Sequence, residues 1–240
     1  MLLFLSDLHL SPERPALLKR FRALLEEQAE RVEALYILGD LFDAWIGDDD
    51  PASFAAEVKG LLKRFSETTP LFFQRGNRDF MVGDRFAAET GARLLEDEAL
   101  VEHQGLRLLL MHGDQLCIDD TEYQQVRAQL RSPEFRRQAL ALSIPERRAL
   151  AAEYRRRSGE SLSLKPADIT DVNPDAVHRA MARHQADLLI HGHTHRPAIH
   201  ALEVDGRPVR RIVLPDWRES SPRLGLSLQQ GEPAWFALAR

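Results

Sequence analysis

Apolar residues come in short blocks, and five of them end in a polar, metal-competent tip. Residues 2–5 lead to Asp7, 34–38 to Gly39-Asp40, 70–73 to Gly76-Asn77, 106–111 to His112-Gly113-Asp114, and 188–190 to His191-Gly192-His193. Blocks this short, bounded by Gly, Asp and Asn, read as buried strands. Between the early blocks the spacing turns helical. Leu17, Leu18, Phe21, Leu24, Leu25 and Val32 mark a helix over 15–32. Phe54, Val58, Leu61, Leu62 and Phe65 mark another, with Asp50-Pro51 as N-cap and first helical residue. Gln104-Gly105 predicts a hairpin turn. Asp205-Gly206 joins 201–204 to 209–213 in a second hairpin, and Gln230-Gly231 joins 224–228 to 234–238 in a third. A βαβα start followed by hairpins places the chain in the α/β or α+β class with a mixed sheet. Ligands in open α/β sheets gather outside the carboxyl ends of strands. The five tips therefore predict one site built from loops distant in sequence.

Residues 121–165 break the pattern. Arg127, Arg131, Arg136, Arg137, Arg147, Arg148, Arg155, Arg156 and Arg157 crowd a segment with Val126, Leu130, Phe135, Leu140, Leu150 and Tyr154 at helical intervals. Pro133 and Pro145 read as helix starts. This predicts a helical cap over 121–165, inserted in a core made of 1–120 and 166–240. The arginine cluster, taken as a whole, is expected to face an anion or a lipid.

The 240 residues suit one sizeable domain with an insertion, and 44% hydrophobic with 29% charged residues is ordinary for a globular protein. A net charge of −5 offers no basic footprint for nucleic acid. The single cysteine, Cys117, excludes an intrachain disulfide, suits a reducing compartment and reads as a buried apolar residue. No run approaches the ~20 apolar residues of a membrane span. The N-terminal MLLFLSDLHL lacks a basic start and reads as a first strand rather than a signal peptide. A cytoplasmic protein is expected.

The polar tips carry the chemistry: Asp7-Leu8-His9, Gly39-Asp40-Leu41-Phe42-Asp43, Gly76-Asn77-Arg78-Asp79, His112-Gly113-Asp114 and Gly192-His193-Thr194-His195-Arg196-Pro197. Alternation beyond a strand end can turn Asp7 with His9, and His193 with His195, to a common side. Asp7, His9, Asp40, Asn77, His112, His193 and His195 offer two carboxylates, four imidazoles and one amide oxygen. That set suits two borderline divalent metals such as Mn²⁺, Fe²⁺, Zn²⁺, Co²⁺ or Ni²⁺, and does not suit calcium. The remaining histidines, His103, His178, His184, His191 and His200, read as solvated or core side chains.

In this order the five segments resemble the calcineurin-like metallophosphoesterases from Asp7 to Pro197. The resemblance implies a sandwich of two mixed β-sheets flanked by helices. It implies one metal on Asp7, His9 and His195, another on Asn77, His112 and His193, and Asp40 as the bridge. Many members have histidine after the asparagine, where this chain has Arg78. A histidine can protonate an alkoxide leaving group. A guanidinium keeps its proton and can only neutralise and grip phosphate oxygens. Arg78 therefore points to a leaving group that departs unprotonated, such as a phosphate with pKa near ~6, and so to cleavage of a diphosphate. Asp79 is placed to pair with that guanidinium.

Arg78, the segment from Gly39 to Asp50 and the segment from His112 to Asp120 are together similar to the UDP-2,3-diacylglucosamine hydrolase family of lipid A biosynthesis. The likeness implies hydrolysis of UDP-2,3-diacylglucosamine to UMP and 2,3-diacylglucosamine 1-phosphate, by a hydroxide that two metals activate and that attacks the UMP phosphorus. It implies Mn²⁺ as the metal, with Asp40, Arg78 and His193 as catalytic residues. Asn77, Arg78, Asp120, Ser158, Lys165 and His193 are the implied substrate contacts. Leu162 departs, standing where that family often has asparagine. The expected state is a monomer, peripheral on the cytoplasmic face of the inner membrane and touching its lipid, with no nucleic-acid partner. Rival readings are a nucleotide phosphodiesterase or dinucleoside polyphosphate hydrolase on the same site, a nuclease, and a non-catalytic scaffold, which predicts eroded metal donors.

Overall fold

Strands β1 (Leu2–Leu5) and β2 (Ala34–Leu38) are apolar at every position because both of their faces are covered. They are central to the first of two sheets in the computed structural model, which describes residues 1–164 and 169–238, without the side chains of 158–164. β1 runs parallel to β2, and β2 to β3 (Leu71–Gln74), which is parallel to β4 (Arg93–Leu95). On the other side of β1 lie β10 (Gly225–Gln229) and β11 (Glu232–Phe236), antiparallel, giving the order β11-β10-β1-β2-β3-β4. The second sheet contains β5 (Ala99–His103), β6 (Leu106–Leu110), β7 (Leu188–His191), β8 (Ala198–Val204) and β9 (Arg207–Val213), in the order β5-β6-β7-β9-β8, with β6, β7 and β9 parallel.

Alternate residues of these strands serve different layers. Phe4, Tyr36 and Leu38 face Leu108, Leu110, Leu188, Ile190 and Ile212 between the sheets. Leu3, Leu5, Leu35, Ile37 and Phe73 pack outward on α1 (Pro15–Gln28) and α2 (Ser53–Ser66) through Leu17, Phe21, Leu24, Val58, Leu61 and Leu62. Phe86 from α3 (Asp84–Thr90) joins them. Leu109, Met111 and Leu189 pack outward on Val177, Ala180 and Met181 of α7 (Pro174–His184). Each fully buried Leu or Phe is worth about 1.5–3 kcal/mol, so the strand ends are rigid anchors. No helix among the described residues is long and apolar enough to cross a membrane.

The helical segment comprises α4 (Thr121–Leu130), α5 (Pro133–Ala141) and α6 (Ile144–Leu164). Pro133 starts α5 and Pro145 lies in the first turn of α6, as their positions predict. Other expectations are corrected. The first helix ends at Gln28, and Glu30 turns the chain with φ 63°. The second begins at Ser53, because the Asp50 carboxylate is held by the Ala52 N–H at 3.1 Å and by Arg148 at 2.8 Å. β8 begins at Ala198, three residues ahead of the predicted start at 201. α3, β4, β5 and α7 add to the predicted elements. α7 has a complete signature nonetheless: Asn173 caps it by accepting from Ala176 N–H at 3.0 Å, Pro174 opens it and Arg183-His184 close it.

Candidate metal centre

The loops after β1, β2, β3, β6 and β7 converge at one end of the two sheets. The first two are zipped together: Asp7 N–H donates to Gly39 C=O, His9 N–H to Asp40 C=O, and Leu10 N–H to Leu41 C=O. Gly192 lies so close to Asp7 that a Cβ there would sit 2.1 Å from a carboxylate oxygen, which explains a glycine between His191 and His193. Asp7, His9, Asp40, His193 and His195 all have left-handed backbone, with φ of 54°, 47°, 54°, 66° and 55°. Side-chain convergence therefore comes from backbone twists and not from the extended alternation expected of the Asp-x-His and His-x-His pairs. Such twists cost roughly 1–2 kcal/mol per residue, and their concentration at one place marks a functional site.

All seven predicted donors are brought together. Donor atoms of Asp7, His9 and His195 lie within 4.8 Å of one another, and so do those of Asp7, Asp40 and His112. Asn77 Oδ1 is 2.9 Å from His112 Nε2 and 2.9 Å from His193 Nδ1, which closes the third corner. The set fits divalent cations. His112 Nδ1 meets the Leu38 carbonyl at 2.8 Å, so it carries the proton and turns the Nε2 lone pair into the site. His9 Nε2 and His195 Nε2 approach to 3.4 Å, and the buried His9 Nδ1 has no hydrogen-bond partner among the described residues. Asp7 and Asp40 are almost fully buried, and no lysine or arginine among the described residues pairs with either. Buried carboxylates facing lone pairs are short of positive charge.

The protonation pattern follows. Burial pushes the Asp40 carboxyl up to about 6, with the His112 charge pulling it down and Asp7 adding to the rise. Burial also pushes Asp7 up, but the hydrogen bond from His195 and the nearby imidazoles outweigh it and hold Asp7 well below the usual carboxylate range. Burial lowers His9 and His193 to about 4, so both rings are neutral at physiological pH. Burial opposes charge on His112 and His195 too, yet the surrounding carboxylates raise both.

Arg78 stands beside this cluster. Its N–H donates to Asp40 Oδ1 at 2.8 Å and its C=O accepts from Trp45 N–H at 3.0 Å. Among the described residues no carboxylate pairs with its guanidinium. The predicted Asp79–Arg78 pair does not form: Asp79 is fully buried and accepts backbone N–H groups from Gly76, Asp40 and Leu41 instead. Its carboxyl is pushed up to about 6 by burial and then by the Asp40 charge.

The arginine-rich helices are corrected as well. Arg127 and Arg131 hold the buried Asp114 at 2.8 and 3.3 Å and Asp97 at 2.7 and 2.9 Å. Arg147 grips Asp49, Arg148 pairs with Asp50, Arg155 with Asp43, and Arg156 and Arg157 with Glu153. They face the protein's own acids rather than an outside anion, because the predicted cluster sits over a matching set of carboxylates. Asp120 caps α4 through Tyr123 N–H at 3.0 Å. The side chains of Ser158 and Leu162, and the whole of Lys165, lie outside what the structure describes. Tyr123 was not anticipated near the site, yet its ring lies 5.7 Å from that of His193 and its hydroxyl donates to Asp114 at 3.1 Å. Asp216, 3.8 Å from His195 Nδ1, was also missed, and a lone aspartate after β9 gives no sequence signal. Cys117 is buried as expected, with its thiol pushed up to about 12 by burial.

Comparison with known proteins agrees with this geometry. The chain is 48% identical over 225 residues to a UDP-2,3-diacylglucosamine hydrolase of Stenotrophomonas maltophilia (strain K279a), covering 90% of this chain and 91% of that one. It is 48% identical over 237 residues to the same-named protein of Pseudomonas paraeruginosa (strain DSM 24068 / PA7), covering 98% and 99%. For that of Serratia proteamaculans (strain 568) the identity is 44% over 235 residues, covering 98% of each. The family described as calcineurin-like phosphoesterase matches residues 1–197, a span that contains every one of the seven donors. The chain belongs to the calcineurin-like phosphoesterase family.

Proposed function

We propose that this chain hydrolyses the diphosphate bond of UDP-2,3-diacylglucosamine, giving UMP and 2,3-diacylglucosamine 1-phosphate. The observation that carries the substrate is the near end-to-end likeness to relatives of that name, at 48% identity over 98% of the chain. The site supports the chemistry. Two divalent cations, Mn²⁺ by the family likeness, would supply Lewis acidity and lower the pKa of water toward neutrality when bound. Asp7, His9 and His195 would hold one, Asn77, His112 and His193 the other, with Asp40 shared between them. Arg78 offers a guanidinium beside Asp40 that pairs with no carboxylate among the described residues, suited to gripping diphosphate oxygens and balancing charge on a leaving phosphate. Asn77, Asp120, Ser158, Lys165 and His193 complete the substrate contacts.

Residues 121–165 act as a cap on the core formed by 1–120 and 166–240. Phe80, two residues beyond Arg78, meets Phe135 of α5 at 6.2 Å, and Phe135 meets Tyr154 of α6 at 6.1 Å. This apolar line beside Arg78 supports an acyl-chain path under the cap. We propose in addition a monomer that works peripherally against lipid at the cytoplasmic face of the inner membrane, where a lipid substrate would be met. Hydrolysis in ¹⁸O-water tests the reading: label is expected in UMP, from attack at the UMP phosphorus. Label in the sugar phosphate, or equal turnover of a water-soluble UDP-sugar without acyl chains, would sink it.

A further inference from the structure

Asp79 reaches neither solvent nor the guanidinium next to it. Its Oδ1 accepts Gly76 N–H at 2.7 Å and Asp40 N–H at 3.3 Å, and its Oδ2 accepts Leu41 N–H at 2.8 Å. Gly76 precedes Asn77, and Asp40 precedes Leu41, so one carboxylate ties the loop after β2 to the loop after β3. The two loops touch without spare room: a Cβ on Gly76 would lie 2.1 Å from Asp40 Oδ1 and 2.4 Å from Asp40 N, and one on Gly39 2.6 Å from Gly76 Cα. The tie is returned when Arg78 N–H donates to Asp40 Oδ1 at 2.8 Å. Asp40 also has φ of 54°, a left-handed conformation that an aspartate leaves unless something holds it. Buried N–H groups in a twisted loop need acceptors, and Asp79 supplies them at both loops at once.

We propose that Asp79 is a positioning residue, whose carboxylate fixes the separation and orientation of Asp40 and Asn77 and thereby sets the affinity of the centre for its cations. The inference rests on the reading of Asp40 and Asn77 as metal donors. A neutral amide of the same size cannot replace it, because the NH₂ of asparagine would confront the Leu41 or the Gly76 N–H, donor against donor. Outer partners of metal donors typically govern affinity by about 10–100-fold.

The test is a Mn²⁺ titration of metal-free protein followed by electron paramagnetic resonance of the free ion, with melting curves in parallel. Wild-type protein is expected to take up two Mn²⁺ per chain and to gain Tm on loading. Asp79→Asn is expected to bind Mn²⁺ about 10–100-fold more weakly and to gain correspondingly less Tm. A merely structural role would lower the Tm of metal-free and loaded protein equally and leave Mn²⁺ affinity intact, and that result overturns the proposal. If Asp79→Asn folds poorly, Asp79→Glu carries the test, keeping both acceptors but displacing them by one methylene. Its affinity is expected between those of wild type and Asn, and wild-type affinity in Asp79→Glu overturns the proposal. Wild-type protein that takes up no Mn²⁺ would instead remove the dimetal reading, and this inference with it.

Discussion

At the sheet ends, Asp7 and Asp40 are buried and, among the described residues, form ion-pair contacts only with imidazoles, whereas in α4–α6 nearly every arginine meets a carboxylate of the same chain. Arg147 shows the second pattern best. It is 7% exposed, forks onto both oxygens of Asp49, and donates to the carbonyls of Ile46, Leu140 and Leu142. Each of its neighbours is satisfied within the protein. The strand-end loops leave negative charge and lone pairs aimed at one another at 3–4 Å, a state that a folded chain tolerates where a cation from outside completes it. Buried charge thus means structure where it is paired and chemistry where it is not. Arg78 belongs with the loops by this criterion and not with the arginines of the helices.

The largest expected effect follows from removing the proposed shared donor. Asp40→Ala is expected to abolish measurable turnover, beyond the roughly 10²–10³ that loss of one preorganised contact costs, and to lower bound Mn²⁺ below that of His9→Ala or His195→Ala. Steady-state rates with metal analysis check this. Equal losses at Asp40 and at a terminal donor would refute the bridging role.

Next is the contrast between the two kinds of arginine. Arg78→Ala is expected to lower kcat by about 10²–10³ with little change in Tm, and lysine to restore little, since it loses the planar fork. Arg147→Ala is expected to do the reverse. It leaves buried carbonyls unsatisfied, worth about 1–3 kcal/mol of stability. The half-exposed Asp49 adds little because solvent screens it. Chemical denaturation and initial rates on both variants separate the roles. A stable, inactive Arg147→Ala would dissolve the distinction.

The same contrast explains what could be read from the chain. Each predicted donor stands in a loop that follows an apolar block, so strand ends and candidate metal residues are legible together: His112 after β6, His193 after β7. Several arginines of α4–α6 have partners about 30 to 110 residues away, as with Arg127–Asp97 and Arg155–Asp43, and no local pattern joins those pairs. Asp79 failed for the opposite reason. Its neighbour Arg78 suggests an ion pair, but burial turns the two side chains apart and gives Asp79 to the backbone. The left-handed φ values of Asp7 and Asp40 were equally invisible, since the loops impose them on each other through the Asp7–Gly39 and His9–Asp40 hydrogen bonds. α3 spans seven residues, too few for a helical period to declare itself.

The smallest expected effect concerns protons, and its sign follows from the environments of the donors. Without cations, Asp40 is raised to about 6, and His112 and His195 are raised above the ordinary histidine value by nearby carboxylates despite burial. At pH 6 these groups hold protons that a cation must displace, because carboxylate and imidazole bind metal only in their deprotonated forms. His9 and His193, lowered to about 4 by burial, have already lost theirs. Raised groups weaken metal binding on the acid side, so apparent Mn²⁺ affinity is expected to climb as pH rises from about 6 through neutrality and then to level off. The change between pH 6 and pH 8 should be a few-fold to about tenfold, within the 1.36 kcal/mol that one pKa unit represents. Calorimetric titration in buffers of different ionisation enthalpy counts the protons directly. Release is expected at pH 6 and less at pH 8. Zero release at both would mean that the site is already fully deprotonated at pH 6. The loops would then have to supply compensating positive charge of their own, as the helices do with their arginines.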